Sequence, residues 1–270
     1  MATAHPHDTT AAQHLRSPQA TMTRIIAAHA PRTGDFETPI PGLGFFRRDA
    51  PAAPVVCMIE PSIVLVAQGA KQLWVGGAAY AYDPSRFLVT SLDVPANSEV
   101  LAASPEAPCL GLVLKFDVRM LAELIAQGSL PPQRERPAGL GVEIGTATPA
   151  LWAPFERVAA LLEEPEAIPV HAPLIQREIH YRLLMGDQAG RLRQIASVDG
   201  HGRRIARAID WLKLNYASSL RVEELAARVQ MSAPTFHHHF RQLTAMSPLQ
   251  YQKWLRLDEG KRVVLSGHAD

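Results

Sequence analysis

The sequence predicts an α+β chain in which a small β-barrel or sandwich precedes a run of helices. Three observations carry that reading. β-Rich runs follow one another closely between about residues 40 and 118, and the pattern switches to helical periodicity after 118. The stretch VEELAARVQMSAPTFHHHFRQL at 222–243 reads as two short helices joined by a tight turn.

Residues 1–35 are rich in Ala, Thr, His and Pro and show little sustained patterning. They are expected to form a mobile N-terminal segment with one short helix over 21–29. The β-rich runs are VCMIEPSIVLVAQ, KQLWV, AAYAYD, RFLVTSL, SEVLAA and CLGLVLKFD. Gly76-Gly77 between KQLWV and AAYAY signals a two-residue hairpin, and Asp83-Pro84-Ser85 and Asp93-Val94-Pro95 mark further turns. Six or more strands at such spacing fit a sandwich or small barrel.

Beyond 118 the reading is helical. One helix covers 118–127 and is stopped by Gly128 and Pro131-Pro132. Residues 130–148 read as a polar, Pro- and Gly-rich loop. Amphipathic helices follow over 148–164 and 173–185, with a short one over 190–197. SVDGHGR at 197–203 is the expected hinge. A first domain then spans 36–197 and a second spans 203–270. The second opens with a helix over 204–216 carrying Ile205, Ile209, Trp211 and Leu212, and closes with one over 248–265.

In the helix pair, Val222, Leu225, Ala226 and Val229 recur at i, i+3, i+4 and i+7 and give the first helix one apolar face. Met231 falls in the turn, and Ser232 stands where an N-cap belongs. Phe236, Phe240 and Leu243 turn the second helix inward, leaving Pro234, His237, His238 and Arg241 on one outward face. A polar helix face backed by a buried partner helix suits a major groove.

The net charge of +1 conceals an asymmetry. Residues 200–270 hold 11 Lys and Arg against 6 Asp and Glu, whereas the rest holds 16 against 20. The basic half is the half with the helix pair, which points to a polyanionic partner there. Two cysteines, Cys57 and Cys109, make no disulfide framework and fit a reducing cytoplasm. No apolar run reaches 18 residues and no signal-peptide pattern opens the chain, so neither a membrane span nor secretion is expected.

Catalysis finds little support. There is no GxSxG, HExxH, P-loop or GxGxxG followed by a helix, and Glu163-Glu164 and Asp258-Glu259 diverge as solvated pairs. Residues 40–170 contain no histidine, which argues against a His-metal enzyme. His237, His238 and His239 point about 100° apart on a helix and cannot converge on one ion. Neither a metal nor another cofactor is expected, and the chain is not read as an enzyme. The same three histidines titrate near neutrality, so pH-sensitive binding is expected of them. Cys109, at a strand start, reads as an inert buried thiol rather than a reactive sensor.

The stretch LRVEELAARVQMSAPTFHHHFRQLTAMSPLQYQKWLRLDEGKRVVL resembles the first part of the DNA-binding domain of AraC/XylS-type transcriptional regulators. MIEPSIVLVAQGAKQLWVGGAAYAYDPSRFLVTSLDVP and LIQREIHYRLLMGDQAGRLRQIA are similar to the N-terminal domain and preceding helical segment of one subgroup of that family. The resemblance spans about 35–265. It implies a cupin-like barrel or jelly roll with accompanying helices, followed by a homeodomain-like helix-turn-helix. It also implies a recognition helix at 232–243, with Pro234, His237 and His238 where base edges are met and Ser232 and Arg241 where phosphates are gripped; Thr235 lies beside them and suits either role. The implied partners are double-stranded DNA, a small-molecule effector, a second copy of the chain and RNA polymerase, with the protein in the cytoplasm and nucleoid-associated when on DNA.

Two departures from the family pattern stand out. Gln230 occupies a turn position where the family usually has Gly, so strain or another turn geometry is expected. The family's second helix-turn-helix unit has no counterpart before residue 270, so the expectation is a shortened chain with weaker DNA binding. A cupin-like barrel also allows an effector pocket, for which Trp74, Tyr80, Tyr82 and Phe87 are candidates; packing accounts for the same residues equally well. The competing readings are a dimerising module without productive DNA binding and a small-molecule enzyme built on the barrel.

Overall fold

The computed structural model describes residues 17–128, 130, 139–196 and 200–265. The expected mobility of residues 1–16, part of the expected loop at 130–148, the centre of the expected hinge and the tail after 265 lie outside the described residues.

Among the described residues, ten strands form two antiparallel sheets. They are β1 (Gly34–Glu37), β2 (Leu43–Arg48), β3 (Ala52–Ile59), β4 (Ser62–Gln68), β5 (Ala70–Val75), β6 (Ala78–Tyr82), β7 (Arg86–Thr90), β8 (Val94–Ala102), β9 (Cys109–Lys115) and β10 (Val142–Thr146). One sheet runs β1-β2-β9-β4-β7-β10 and the other β3-β8-β5-β6. Successive side chains point to opposite faces, so each strand of the larger sheet divides its apolar residues between two cores. Phe45, Ile63, Leu65, Leu110, Leu112 and Leu114 face the helices. Phe46, Val64, Val66, Leu88 and Cys109 face the space between the sheets. This double burial explains why SIVLVAQ and CLGLVLK are near-continuous apolar runs.

Nine helices are described: α1 (Pro18–His29), α2 (Val118–Ala126), α3 (Pro149–Ala160), α4 (Ile168–Met185), α5 (Ala189–Ala196), α6 (His201–Leu214), α7 (Val222–Arg228), α8 (Ala233–Thr244) and α9 (Pro248–Leu265). Helix α1 is longer than the sequence suggested. Ser17 caps it by accepting from the Ala20 N–H at 3.2 Å, and Pro18 sits in its first turn. Met22 and Ile26 anchor it on the larger sheet's outer core, with no exposure at all. That long-range packing, not composition, orders residues 18–29.

Other elements also differ from expectation. β1 and β2 precede the first run read as a strand, because GDFE and LGFFRR carry glycines and arginines that mask β-propensity. β10 interrupts the expected loop: VEIGT is short, and its pairing with β7 supplies what its sequence does not. Gly145 is required there, since an added Cβ would sit 2.2 Å from Cζ of Phe87. Helix α4 begins five residues before Pro173, which lies inside the helix. A proline four residues after Pro169 removes one i→i−4 bond near the start and leaves the rest of the helix intact.

His180 on α4 ties the helices to the sheet's end. Its Nδ1–H donates to the Gln176 carbonyl at 2.7 Å and its Nε2 accepts from the Asp117 N–H at 3.1 Å, which fixes a neutral tautomer. Burial pushes this imidazole below its usual 6.5, so the folded state binds a proton less readily than the unfolded chain. Its contribution is therefore complete above about pH 6.5 and is lost as pH falls through the folded value. Urea midpoints are expected to drop between pH 7.5 and pH 5, with a smaller drop in His180→Asn; an unchanged acid dependence in the variant would count against this role.

Candidate nucleic-acid interface

Helices α7 and α8 form the predicted pair. Val222, Leu225, Ala226, Phe236, Phe240 and Leu243 are buried, and Tyr251 of α9 packs edge-on to Phe240 at 5.5 Å. The turn closes with the Met231 N–H donating to the Ala226 carbonyl at 2.9 Å, and Met231 is buried. Gln230 adopts φ 58, a left-handed conformation that Gly takes without strain and Gln does not. Arg204 of α6 clamps this residue: its guanidinium donates to the Gln230 carbonyl at 2.8 Å. Sequence reasoning missed Arg204, because nothing local marks an arginine 26 residues upstream as part of the turn.

Ser232 caps α8 by accepting from the Thr235 N–H at 3.4 Å, and its hydroxyl donates to the Thr235 hydroxyl at 2.8 Å. Ser232, Pro234, His237, His238 and Arg241 lie toward solvent and Thr235 is half-buried, so the helix presents these residues together on its outer side. His239 turns away from them. Its ring stacks on His201 of α6 at 4.0 Å and 16°, with His238 edge-on at 5.2 Å. Burial, then the neighbouring His201, lowers the His239 pKa from its usual 6.5 and holds this imidazole neutral near neutrality. Among the described residues no cluster of three or more metal-ligating side chains occurs.

The helix pair rests on the sheets. The Leu243 carbonyl near the end of α8 accepts from the Gly141 N–H at 2.8 Å. Asp93 joins two helices at once: Lys213 of α6 pairs with its carboxylate at 2.8 Å, and the Tyr251 hydroxyl donates to its carbonyl at 3.0 Å. Ala245, at φ 61, ends α8 directly over Gly76 of the β5–β6 hairpin, where an added Cβ would stand 2.3 Å from that of Ala245.

The four effector candidates lie on three surfaces. Tyr80 and Tyr82 are cross-strand partners of Leu73 and Lys71 and share the inner face of the smaller sheet. Trp74 lies on its outer face, where the indole N–H donates to Glu99 at 2.9 Å. With Met246 and Trp254 it lines a groove of about 470 Å³ between sheet and helices. Phe87 faces the helices and lines a separate, open pocket of about 380 Å³ with Tyr181, Arg182 and Met185.

A double-sheet N-terminal part that carries a helix-turn-helix defines a class, the DNA-binding transcription regulators. Residues 39–191 match the family model described as the AraC-type transcriptional regulator N-terminus. The chain belongs to the AraC-type transcriptional regulators. No curated protein matches it. Among solved structures it is similar to a point variant of ToxT from Vibrio cholerae in its apo form, at 10% identity and TM-score 0.32, covering 83% of this chain and 100% of that one. It is also similar to wild-type Vibrio cholerae ToxT bound to an unsaturated fatty acid, at 8% identity and TM-score 0.33, covering 78% and 94%. A third match is the AraC-like transcriptional activator CuxR, at 14% identity and TM-score 0.35, covering 89% and 91%.

The turn geometry yields two expectations. Gln230→Gly relieves a left-handed side-chain conformation and keeps the carbonyl that Arg204 grips, so stability should rise by up to about 1 kcal/mol. Ser232→Ala should lower it by about 0.5–2 kcal/mol. Urea unfolding followed by far-ultraviolet circular dichroism measures both.

Proposed function

We propose that the protein is a sequence-specific transcription regulator that lays α8 in a major groove. The observation that carries this reading is the shared outward placement of Ser232, Pro234, His237, His238 and Arg241 on a helix fixed from behind by α7 and α6. In this reading His237, His238 and Pro234 meet base edges, while Ser232 and Arg241 hold phosphates and Thr235 supports either role. The basic character of residues 200–270 steers the approach. Residues 36–197 hold a small-molecule effector and pair two copies, and 203–270 bind DNA in the cytoplasm, with RNA polymerase as the downstream partner.

Pairing is supported by α4, on which Val170, Leu174, Tyr181 and Met185 are exposed at spacings of four, seven and four. These residues form one apolar stripe of the kind that two helices bury together. A dimer presents two recognition helices, so two half-sites are engaged with avidity.

Salt-titrated fluorescence anisotropy on duplex DNA tests the interface. Arg241→Ala should weaken binding to all sequences alike and flatten the salt slope by about one. His238→Ala should alter the order of preferred sequences. Unchanged binding in both variants would sink the docking of α8. Leu174→Glu should shift the sedimentation of a dimer to that of a monomer while leaving the far-ultraviolet spectrum intact.

A further inference from the structure

The groove of about 470 Å³ beside Trp74 lies outside the barrel, between the outer face of the smaller sheet and the helix-turn-helix part. Its floor is a cross-strand row: Val56 of β3 stands opposite Asn97 of β8, and Asn97 opposite Trp74 of β5. Its far wall is Met246, just after α8, and Trp254 of α9. Both indoles are half-buried. Among the described residues neither indole packs against another ring, so each is left to a guest. The volume falls in the range of about 300–1,000 Å³ that small-molecule sites occupy.

The charge around this groove has one sign. No lysine, arginine or histidine lines it. Glu99, two residues from Asn97 on the same face, accepts from the Trp74 indole N–H at 2.9 Å and from the Gln72 amide at 3.4 Å, and neither donor is charged. A carboxylate at the N–H edge of an indole pushes electron density toward the ring face, which favours a cation there. Asp258, half-buried, lies one turn beyond Trp254 on α9 and within electrostatic reach of Cys57, the neighbour of Val56. Among the described residues neither carboxylate has a cationic partner. Two carboxylates on separate elements over an apolar floor do not supply the converging oxygens that a hard metal ion needs, and no metal-ligating cluster occurs among the described residues. We propose that this groove binds a small quaternary ammonium, its onium head against the indoles of Trp74 and Trp254 and its charge balanced by Glu99 and Asp258.

This site gives the effector of the proposed regulator a chemical class, so it rests on that reading for its role but not for its existence. Its walls come from both parts of the chain, so a bound cation touches the sheet and the residue after Ala245 at once. The test is proton NMR of the full chain titrated with choline and with its neutral isostere dimethylbutanol, in which carbon replaces the charged nitrogen. Choline should bind at least about fivefold tighter than the isostere, with its methyl resonances moved upfield by the indole rings. Trp254→Leu should weaken choline at least about fivefold while leaving the isostere within about twofold. Glu99→Gln and Asp258→Asn should each weaken choline about twofold to threefold at low salt, a loss that shrinks near about 0.5 M sodium chloride. All three residues are partly exposed, so the variants should keep the wild-type far-ultraviolet spectrum and duplex DNA binding. Should Trp254→Leu misfold, the two carboxylate variants carry the test through the charge dependence. Equal binding of choline and the isostere, no binding of either, or choline binding untouched by all three changes would each overturn the site. A decaproline peptide that binds where choline does not would overturn it too, and would assign the groove to an extended peptide. Absence of choline binding with duplex DNA binding intact condemns the groove alone, whereas loss of duplex DNA binding in the wild type condemns the regulator reading.

Discussion

The six-stranded sheet is covered on both faces, and the rest of the molecule is arranged around that fact. A sheet solvated on one side can place polar residues at alternate positions; this one cannot, so β4 and β9 are apolar almost throughout. One face is closed by α1 and the helices after β9. The other faces the four-stranded sheet, and its apolar cluster continues without a break into α6–α9 through Leu92, Val142, Leu140 and Met246. The helix-turn-helix is therefore an extension of the inter-sheet core, pinned at its polar edge by Asp93. Asp93 is 7% exposed, and its carboxylate and carbonyl serve different helices, so a change at this residue acts on both contacts together.

Legibility in the sequence followed locality. The helix pair was readable to within a residue because its apolar spacing, its Ser232 cap and its turn all lie within 22 consecutive residues. The β5–β6 hairpin was readable for the same reason, from Gly76-Gly77. β10 and the first turn of α1 were not, because neighbours distant in the chain hold them: Phe87 and its strand in one case, the core around Ala67 and Phe45 in the other. The candidate effector residues show the limit most plainly. Aromatic composition picked out Trp74, Tyr80, Tyr82 and Phe87 together, yet strand parity sends Trp74 outward and Tyr82 inward, and Phe87 belongs to the other sheet. Lys71 drew no notice, because a lysine in a strand looks ordinary until its burial is known.

The β5–β6 hairpin runs from the space between the sheets to the end of α8. At its open end, Lys71 and Tyr82 face each other between the sheets. At its tip, Gly76 takes φ 57 and lies under Ala245, the left-handed residue that terminates α8. β5 also pairs with β8, so the hairpin is held along one side by the rest of the smaller sheet. The tip is crowded as well: the glycine is needed because any side chain there would collide with the end of α8.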